Sequence, residues 1–222
     1  MTHNSYYSIA IDGPAGSGKS TIAKQVSKKL NIEYIDTGAM YRAFTLKLLN
    51  NNIDPFNTNM ILKEIKNTNI DFVNNNIYLD GRIVNDDIRE SYISQNVSLI
   101  AKIKEVREMM LNLQKNMSKN KNVIMDGRDI GSVVLPDSKF KFFITATPEE
   151  RAYRRYKELK HRNNIDIVFK DILLDIKKRD YIDQNREIAP LKQSKDSYVI
   201  DTTDKTIEET VNYIVSVVLG GK

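Results

Sequence analysis

The chain has 222 residues, no cysteine, two histidines and a formal net charge of +5. Disulfides and thiolate metal sites are therefore excluded, and His3 and His161, both expected at the surface, are too far apart to suggest a metal cluster or a histidine-based triad. No apolar run approaches the roughly 20 residues of a bilayer span, no basic-then-apolar leader opens the chain, and the basic residues are interleaved with acids, so a cytoplasmic protein with small anionic partners is expected, without nucleic acid or membrane.

The first apolar run, Tyr7-Ser8-Ile9-Ala10-Ile11, reads as a strand. Gly13-Pro14-Ala15-Gly16-Ser17-Gly18-Lys19-Ser20 follows it and opens a helical pattern in which Ile22, Val26 and Leu30 share a face. Strand, glycine-rich loop and helix are the context in which G-x-x-x-x-G-K-[ST] forms a phosphate cradle. Successive N–H groups converge on one anion, and the helix N-terminus adds unpaired donors and a positive dipole end. Lys19 is expected to reach the β- and γ-phosphates of a nucleoside triphosphate and Ser20 to offer its hydroxyl to Mg²⁺.

Ile32-Glu33-Tyr34-Ile35 is a short strand, and Asp36-Thr37-Gly38-Ala39-Met40-Tyr41-Arg42 turns into a helix with Ala39, Ala43, Leu46 and Leu49 on one buried face. Polar residues at a strand's carboxyl end lie where ligands bind in open α/β sheets. Thr37 fits both a ligand contact and a helix cap, and Arg42 both a ligand contact and a solvated charge. Residues 51–68 are polar and helical in parts. Three β-like runs follow, at Ile70–Val73, Ile77–Leu79 and Arg82–Val84, separated by Asn74-Asn75-Asn76 and Asp80-Gly81. Both separators are hairpin signals, so a small antiparallel meander is predicted, set apart from the main sheet.

Helical pattern returns from about Ser91 to Met117, with Ile93, Val97 and Ile100 on one face and Val106, Met110, Leu113 and Met117 on another. Asn122-Val123-Ile124-Met125-Asp126 reads as a buried strand closing on an acid, either an acid that positions Mg²⁺ or a strand-end cap. Gly127-Arg128-Asp129-Ile130-Gly131 comes next. After the strand Lys139–Ile144, Thr147-Pro148-Glu149-Glu150 starts a helix carrying Arg151, Arg154 and Arg155. A polar turn is expected over Leu159–Val168, then a helix from about Asp166. In that helix Arg179, Asp183 and Arg186 are spaced i, i+4, i+7, which suits an ion pair or a ligand-facing stripe. The strand Tyr198–Ile200 and a closing helix from Thr206, with Val211, Ile214, Val215 and Val218 buried, complete the chain. Alternating strands and helices predict a mostly parallel α/β sheet with helices on both faces.

Four segments carry a resemblance: Gly13 to Thr21, Asp36-Thr37-Gly38-Ala39-Met40-Tyr41-Arg42, Asp126-Gly127-Arg128-Asp129-Ile130-Gly131, and Arg179-x-x-x-Asp183-x-x-Arg186. In order and spacing they resemble the bacterial cytidylate kinases, across essentially the whole chain. The resemblance implies one P-loop NTPase-like domain of the nucleoside monophosphate kinases. Its core would span about 1–50, 105–147 and 187–222, its inserted nucleoside-monophosphate lobe about 51–104 and its short helical lid about 148–186. It further implies transfer of the γ-phosphoryl group of ATP to CMP or dCMP with Mg²⁺, by a cytoplasmic monomer.

By the same resemblance, Gly13 to Thr21 bind ATP, and Thr37, Asp129 and Arg107 read the cytosine. Ser98, Arg179 and Asp183 meet the sugar. Arg42 and Arg128 hold the acceptor phosphate, with Arg186 close by. Lys19, Arg128, Arg154, Arg155 and Arg186 surround the transferring group, with Arg151 beside them on the lid. Asp12 and Asp126 are candidate metal-side acids. The rival acceptors are UMP, AMP, shikimate and dephospho-coenzyme A. Two non-kinase readings, a nucleic-acid-binding ATPase and a GTP switch, are weaker; Asn120-Lys121-Asn122-Val123 lacks the acid that ends a guanine-reading motif.

Overall fold

Short β-branched runs and longer amphipathic stretches become strands and helices along the chain. β1 (Ser8–Asp12) leads into α1 (Lys19–Leu30), and β2 (Glu33–Asp36) into α2 (Thr37–Asn50). α3 (Thr58–Lys66) precedes β3 (Ile70–Val73), β4 (Asn76–Leu79) and β5 (Arg82–Ile83). Then come α4 (Ser91–Ile100), α5 (Lys104–Met117), β6 (Val123–Gly127) and β7 (Phe140–Thr145). The chain continues through α6 (Pro148–His161), α7 (Phe169–Asn185), β8 (Tyr198–Asp201) and α8 (Ile207–Val218). The computed structural model describes residues 6–161 and 167–220. His3, Asp166 and most of the turn expected before Val168 lie outside the described residues. His161 is exposed, at the end of α6. The described chain divides into two units, Met1–Tyr34 with Asn122–Lys222, and Ile35–Lys121.

In the first unit the described strands form a five-stranded sheet in the order β2-β6-β1-β7-β8. β1 runs parallel to β6 and β7, and β7 parallel to β8. The register sets Ile11 beside Asp126 and Asp12 beside Gly127, so the carboxyl ends of β1 and β6 bring two acids to one edge. A parallel sheet covered on both faces needs apolar residues on both sides of each strand, and Ile9, Ile11, Ile124 and Phe142 are fully buried. α1 packs on β6 and α8 through Ile22, Ala23 and Val26, while Leu30 stays half-buried. α8 starts with a capping box between Thr206 and Glu209. It buries Val211 and Ile214, with Val215 and Val218 at the margin. α6 packs on α7.

The second unit is arranged around α2, which packs on β3, β4, α4 and α5. Met40, Ala43, Phe44, Leu46 and Leu48 are all buried, so the helix is enclosed on most sides, and Leu49, expected on the buried face, is only half-buried. β3, β4 and β5 form the predicted antiparallel meander. Val73 pairs with Asn76 across Asn74-Asn75, and Leu79 with Arg82 across Asp80-Gly81. All four turn residues have positive φ, as two-residue primed hairpin turns require, and Asn, Asp and Gly bear that strain best. The helical stretch from Ser91 is broken at 101–103 into α4 and α5. No described helix is long and apolar enough to cross a membrane.

Candidate active site

The loop between β1 and α1 is shaped by its glycines. A Cβ on Gly13 would lie 1.9 Å from the Ile144 carbonyl oxygen, so β7 passes where only hydrogen fits. Gly18 caps α1 with φ of 88°, the left-handed region that glycine enters without cost. Lys19 is 5% exposed. Its Nζ donates to the Pro14 carbonyl at 2.6 Å and to Ser17 Oγ at 3.3 Å, curling the side chain back over the loop. Burial, then the nearby Arg128 charge, pull its pKa down to about 7 against the opposing pull of Asp126, Asp12 and Asp183. An ammonium held this way gains when an anion enters the loop.

Asp126, at the end of β6, receives a hydroxyl on each oxygen. Ser20 Oγ donates to Oδ2 at 2.8 Å and the Tyr34 hydroxyl to Oδ1 at 2.9 Å. Among the described residues no group of three or more His, Cys, Asp or Glu forms a metal cluster. A serine hydroxyl next to a carboxylate is nonetheless a hard-oxygen pair that suits Mg²⁺, an ion that keeps several of its own waters. Asp12, the other candidate metal-side acid, is bonded to backbone. Its two oxygens accept the backbone N–H groups of Ile130 at 2.7 Å and Gly131 at 2.8 Å, pinning the turn after Asp129 to the end of β1. Burial outweighs these bonds and raises its pKa to about 6.

The arginines of this unit are clamped by acids. Arg128 Nε donates to Asp183 Oδ2 at 2.8 Å. Burial works against the Arg128 charge, yet Asp183, Asp180 and Asp126 leave its pKa raised. Burial likewise opposes the Asp183 charge, but Arg128, Arg186 and Arg179 hold its pKa low. Arg186 Nη2 lies 3.3 Å from Asp129 Oδ1, and its Nε donates to the Ala189 carbonyl at 2.6 Å. The expected stripe of Arg179, Asp183 and Arg186 is only partly helical. α7 ends at Asn185 and Arg186 is its extended C-cap, so Arg186 leaves the helical face and meets Asp129 from the following loop.

The arginines of α6 divide. Arg151, expected to approach the transferring group, is 3% exposed and engaged elsewhere. It donates to the Ala146 carbonyl at 2.9 Å, to the loop carbonyl of Ala15 at 3.0 Å and to Asp180 at 2.7 Å. It is a tie between α6, α7 and the glycine loop. Arg154 reaches Thr202, donating to its hydroxyl at 3.1 Å and its carbonyl at 2.6 Å, and pairs with Glu150. A Cβ on Gly18 would lie 3.8 Å from Arg154 Nη1, so this guanidinium borders the loop. Arg155 pairs with Glu158 along the helix.

In the second unit, Asp36 caps α2 through its bond to Ala39 N at 2.9 Å, so Thr37 is not the cap but the first, buried residue of the helix. Arg42 is half-buried, and a Cβ on Gly38 would meet its Nη1 at 3.6 Å, so the side chain folds back over the first turn. Arg107 is buried on α5, donates to the Ala101 carbonyl at 3.1 Å and lies 5.7 Å from the centre of the Tyr41 ring. Ser98 is buried on α4, which packs on α2. The sequence offered no local mark for Ser98 or Arg107, and it offered only a weak one for Tyr34, a hydroxyl in a buried strand that needs a partner.

Comparison with known proteins identifies the family. The family model described as cytidylate kinase matches residues 9–219. A cytidylate kinase of Clostridium botulinum (strain Hall) is 56% identical over 211 residues, covering 95% of this chain and 97% of that protein. One of Clostridioides difficile (strain 630) is 55% identical over 208 residues, covering 94% and 96%. Among solved structures, an uncharacterized protein from Eubacterium ventriosum shares the fold, with a TM-score of 0.52 and 13% identity, over 97% of this chain and 99% of that one. On the strength of its sequence, this chain belongs to the cytidylate kinase family.

Proposed function

We infer that this protein transfers the γ-phosphoryl group of ATP to CMP or dCMP, giving ADP and CDP or dCDP. One observation carries the reading beyond kinship. The consecutive residues 126–129 join the acid that holds the P-loop serine to an arginine and an aspartate of the acceptor motif, each ion-paired to a residue at the end of α7.

The acceptor is a phosphate, already anionic at neutral pH, so the reaction needs no strong general base. It needs positioning and cancellation of charge. Gly13 to Thr21 take the triphosphate through the loop's backbone N–H groups, of which Pro14 has none, and Lys19 exchanges the Pro14 carbonyl for phosphate oxygens. Ser20, with Asp126 behind it, is the residue pair for Mg²⁺, which supplies charge neutralisation at the β- and γ-phosphates when bound. Arg42 and Arg128 take the acceptor phosphate in bidentate fashion, with Arg186 beside them. Ser98, Arg179 and Asp183 take the sugar. Thr37 and Asp129 accept from the cytosine amino group and Arg107 donates to the ring's acceptor edge. Uracil lacks that amino donor and leaves buried acceptors unpaired. Arg154, and with it Arg155, approach the transferring group as the segment 148–186 closes over it. We propose a monomer working in the cytoplasm, with a core, an acceptor-binding lobe and a lid divided as the family resemblance implies.

The test is to incubate the protein with Mg-ATP and separate acceptors (CMP, dCMP, UMP, AMP and shikimate) and follow ADP release. CMP and dCMP are expected to lead. Asp129→Ala is expected to narrow the CMP-over-UMP ratio in kcat/KM by more than it weakens ATP binding. A preference for AMP or shikimate would overturn the assignment.

A further inference from the structure

Tyr34 has no role in the reaction as proposed, yet its hydroxyl is spent at the centre of the site. The side chain is 7% exposed, near the end of the first unit's run in β2. A phenylalanine would fill the same space without the cost of burying a hydroxyl, which is offset only where that hydroxyl is bonded. Here it donates to Asp126 Oδ1 at 2.9 Å, while Ser20 Oγ donates to Oδ2 of the same carboxylate at 2.8 Å. Asp126 is itself 4% exposed, so little solvent competes for either oxygen.

A carboxylate on a single Cβ–Cγ axis turns through a broad, twofold torsional well. One hydroxyl on one oxygen leaves that torsion soft; a second on the other oxygen fixes the plane. With the plane fixed, Oδ2 stays on the Ser20 proton. The Ser20 proton is then committed to Asp126, and the lone pairs of its oxygen are the part of the hydroxyl available to a cation. Partners that orient a ligand from behind in this way tune metal affinity strongly.

We propose that Tyr34 is a positioning residue for the divalent cation of the nucleotide complex, acting through Asp126 on Ser20. This rests on the reading of Ser20 and Asp126 as the Mg²⁺-side pair, and its test requires no acceptor nucleotide. The variant is Tyr34→Phe, which keeps the ring and removes one oxygen. Mn²⁺ serves as the probe, titrated into the protein–ADP complex and followed by its electron paramagnetic resonance signal. ADP affinity is measured separately in the presence of a chelator.

The expected result is Mn²⁺ binding weakened about tenfold in Tyr34→Phe, with metal-free ADP affinity unchanged. In a Ser20→Ala background the same change should have little further effect. A purely structural tyrosine would lower the melting temperature and leave the Mn²⁺ titration alone, and that outcome overturns the proposal. So does an undiminished effect of Tyr34→Phe in the Ser20→Ala background, because the route through Ser20 would then be wrong. If CMP proves not to be the acceptor while the Mn²⁺ shift is found, the substrate assignment falls and this inference stands.

Discussion

The two units differ in how deeply their ion pairs lie. In the unit of Met1–Tyr34 and Asn122–Lys222, arginines meet carboxylates that are buried or nearly so: Arg128 with Asp183, Arg186 with Asp129, Arg151 with Asp180. In the unit of Ile35–Lys121, Lys47 pairs with Asp80 and Glu64 and Arg82 with Asp87 nearer the surface, while Arg107 donates to a backbone carbonyl and lies against an aromatic ring. The first arrangement stores positive charge at fixed positions, because each acid offsets the cost of burying its partner. The second leaves its ion pairs nearer solvent, where water and salt screen them. Phosphates, with several oxygens and a full charge, reward the first kind of site.

The contrast breaks most visibly at Asp183. Asp183→Ala leaves Arg128 with its nearest acid gone, and loss of one partner of a buried pair costs about 3–5 kcal/mol. Chemical denaturation should show a loss of that order, along with weaker CMP binding; a loss under 1 kcal/mol would mean that the pair contributes little. Lys19→Ala acts on chemistry rather than stability. It removes a charge aimed at the transferring group, so kcat should fall about 10²–10³-fold with the melting temperature held or slightly raised, as a buried charge is gone. Near wild-type turnover would contradict the role given to it.

Asp12 is the counter-case within the first unit, a buried carboxylate whose two bonds are to backbone amides. Its folded pKa of about 6 stands above the ordinary 3.8. The stability it contributes is therefore complete below about pH 4 and is lost as pH rises through about 6. The melting temperature of the wild type, taken relative to Asp12→Asn, should rise as pH is lowered from 7 to 5. A flat difference across that window would argue that the carboxyl keeps its ordinary pKa. The smallest effect belongs to the second unit. Tyr41→Leu removes the ring beside Arg107, and at about 0.5–1 kcal/mol for such a contact the KM for CMP should rise about two- to fivefold with kcat little changed.

What the sequence made legible was local. The glycine loop, the hairpin turns at Asn74-Asn75 and Asp80-Gly81, and the strand closing on Asp126 are each set by a few neighbouring residues. Their backbone demands can be read from residue type alone. What stayed hidden was set by distance. Arg151 shares its helix with Arg154 and Arg155 at ordinary spacing, and nothing in that spacing tells which of them will find the carbonyl of Ala15, 136 positions away. The spacing of Arg179, Asp183 and Arg186 implies one stripe only while the helix lasts, and α7 stops one residue short of Arg186. Asp12 entered as a candidate metal-side acid through the resemblance alone. Only the parallel register, which sets it beside Gly127, shows that the turn after β6 is its partner.

Two nucleotides meeting phosphate to phosphate is the core of the account, and a bisubstrate analogue tests it most directly. Adenosine and cytidine joined 5′ to 5′ through five phosphates should gain from tethering, since its second half binds intramolecularly. Calorimetric titration is expected to show it binding at least about tenfold tighter than either ATP or CMP alone. Affinity no greater than that of ATP would contradict the account.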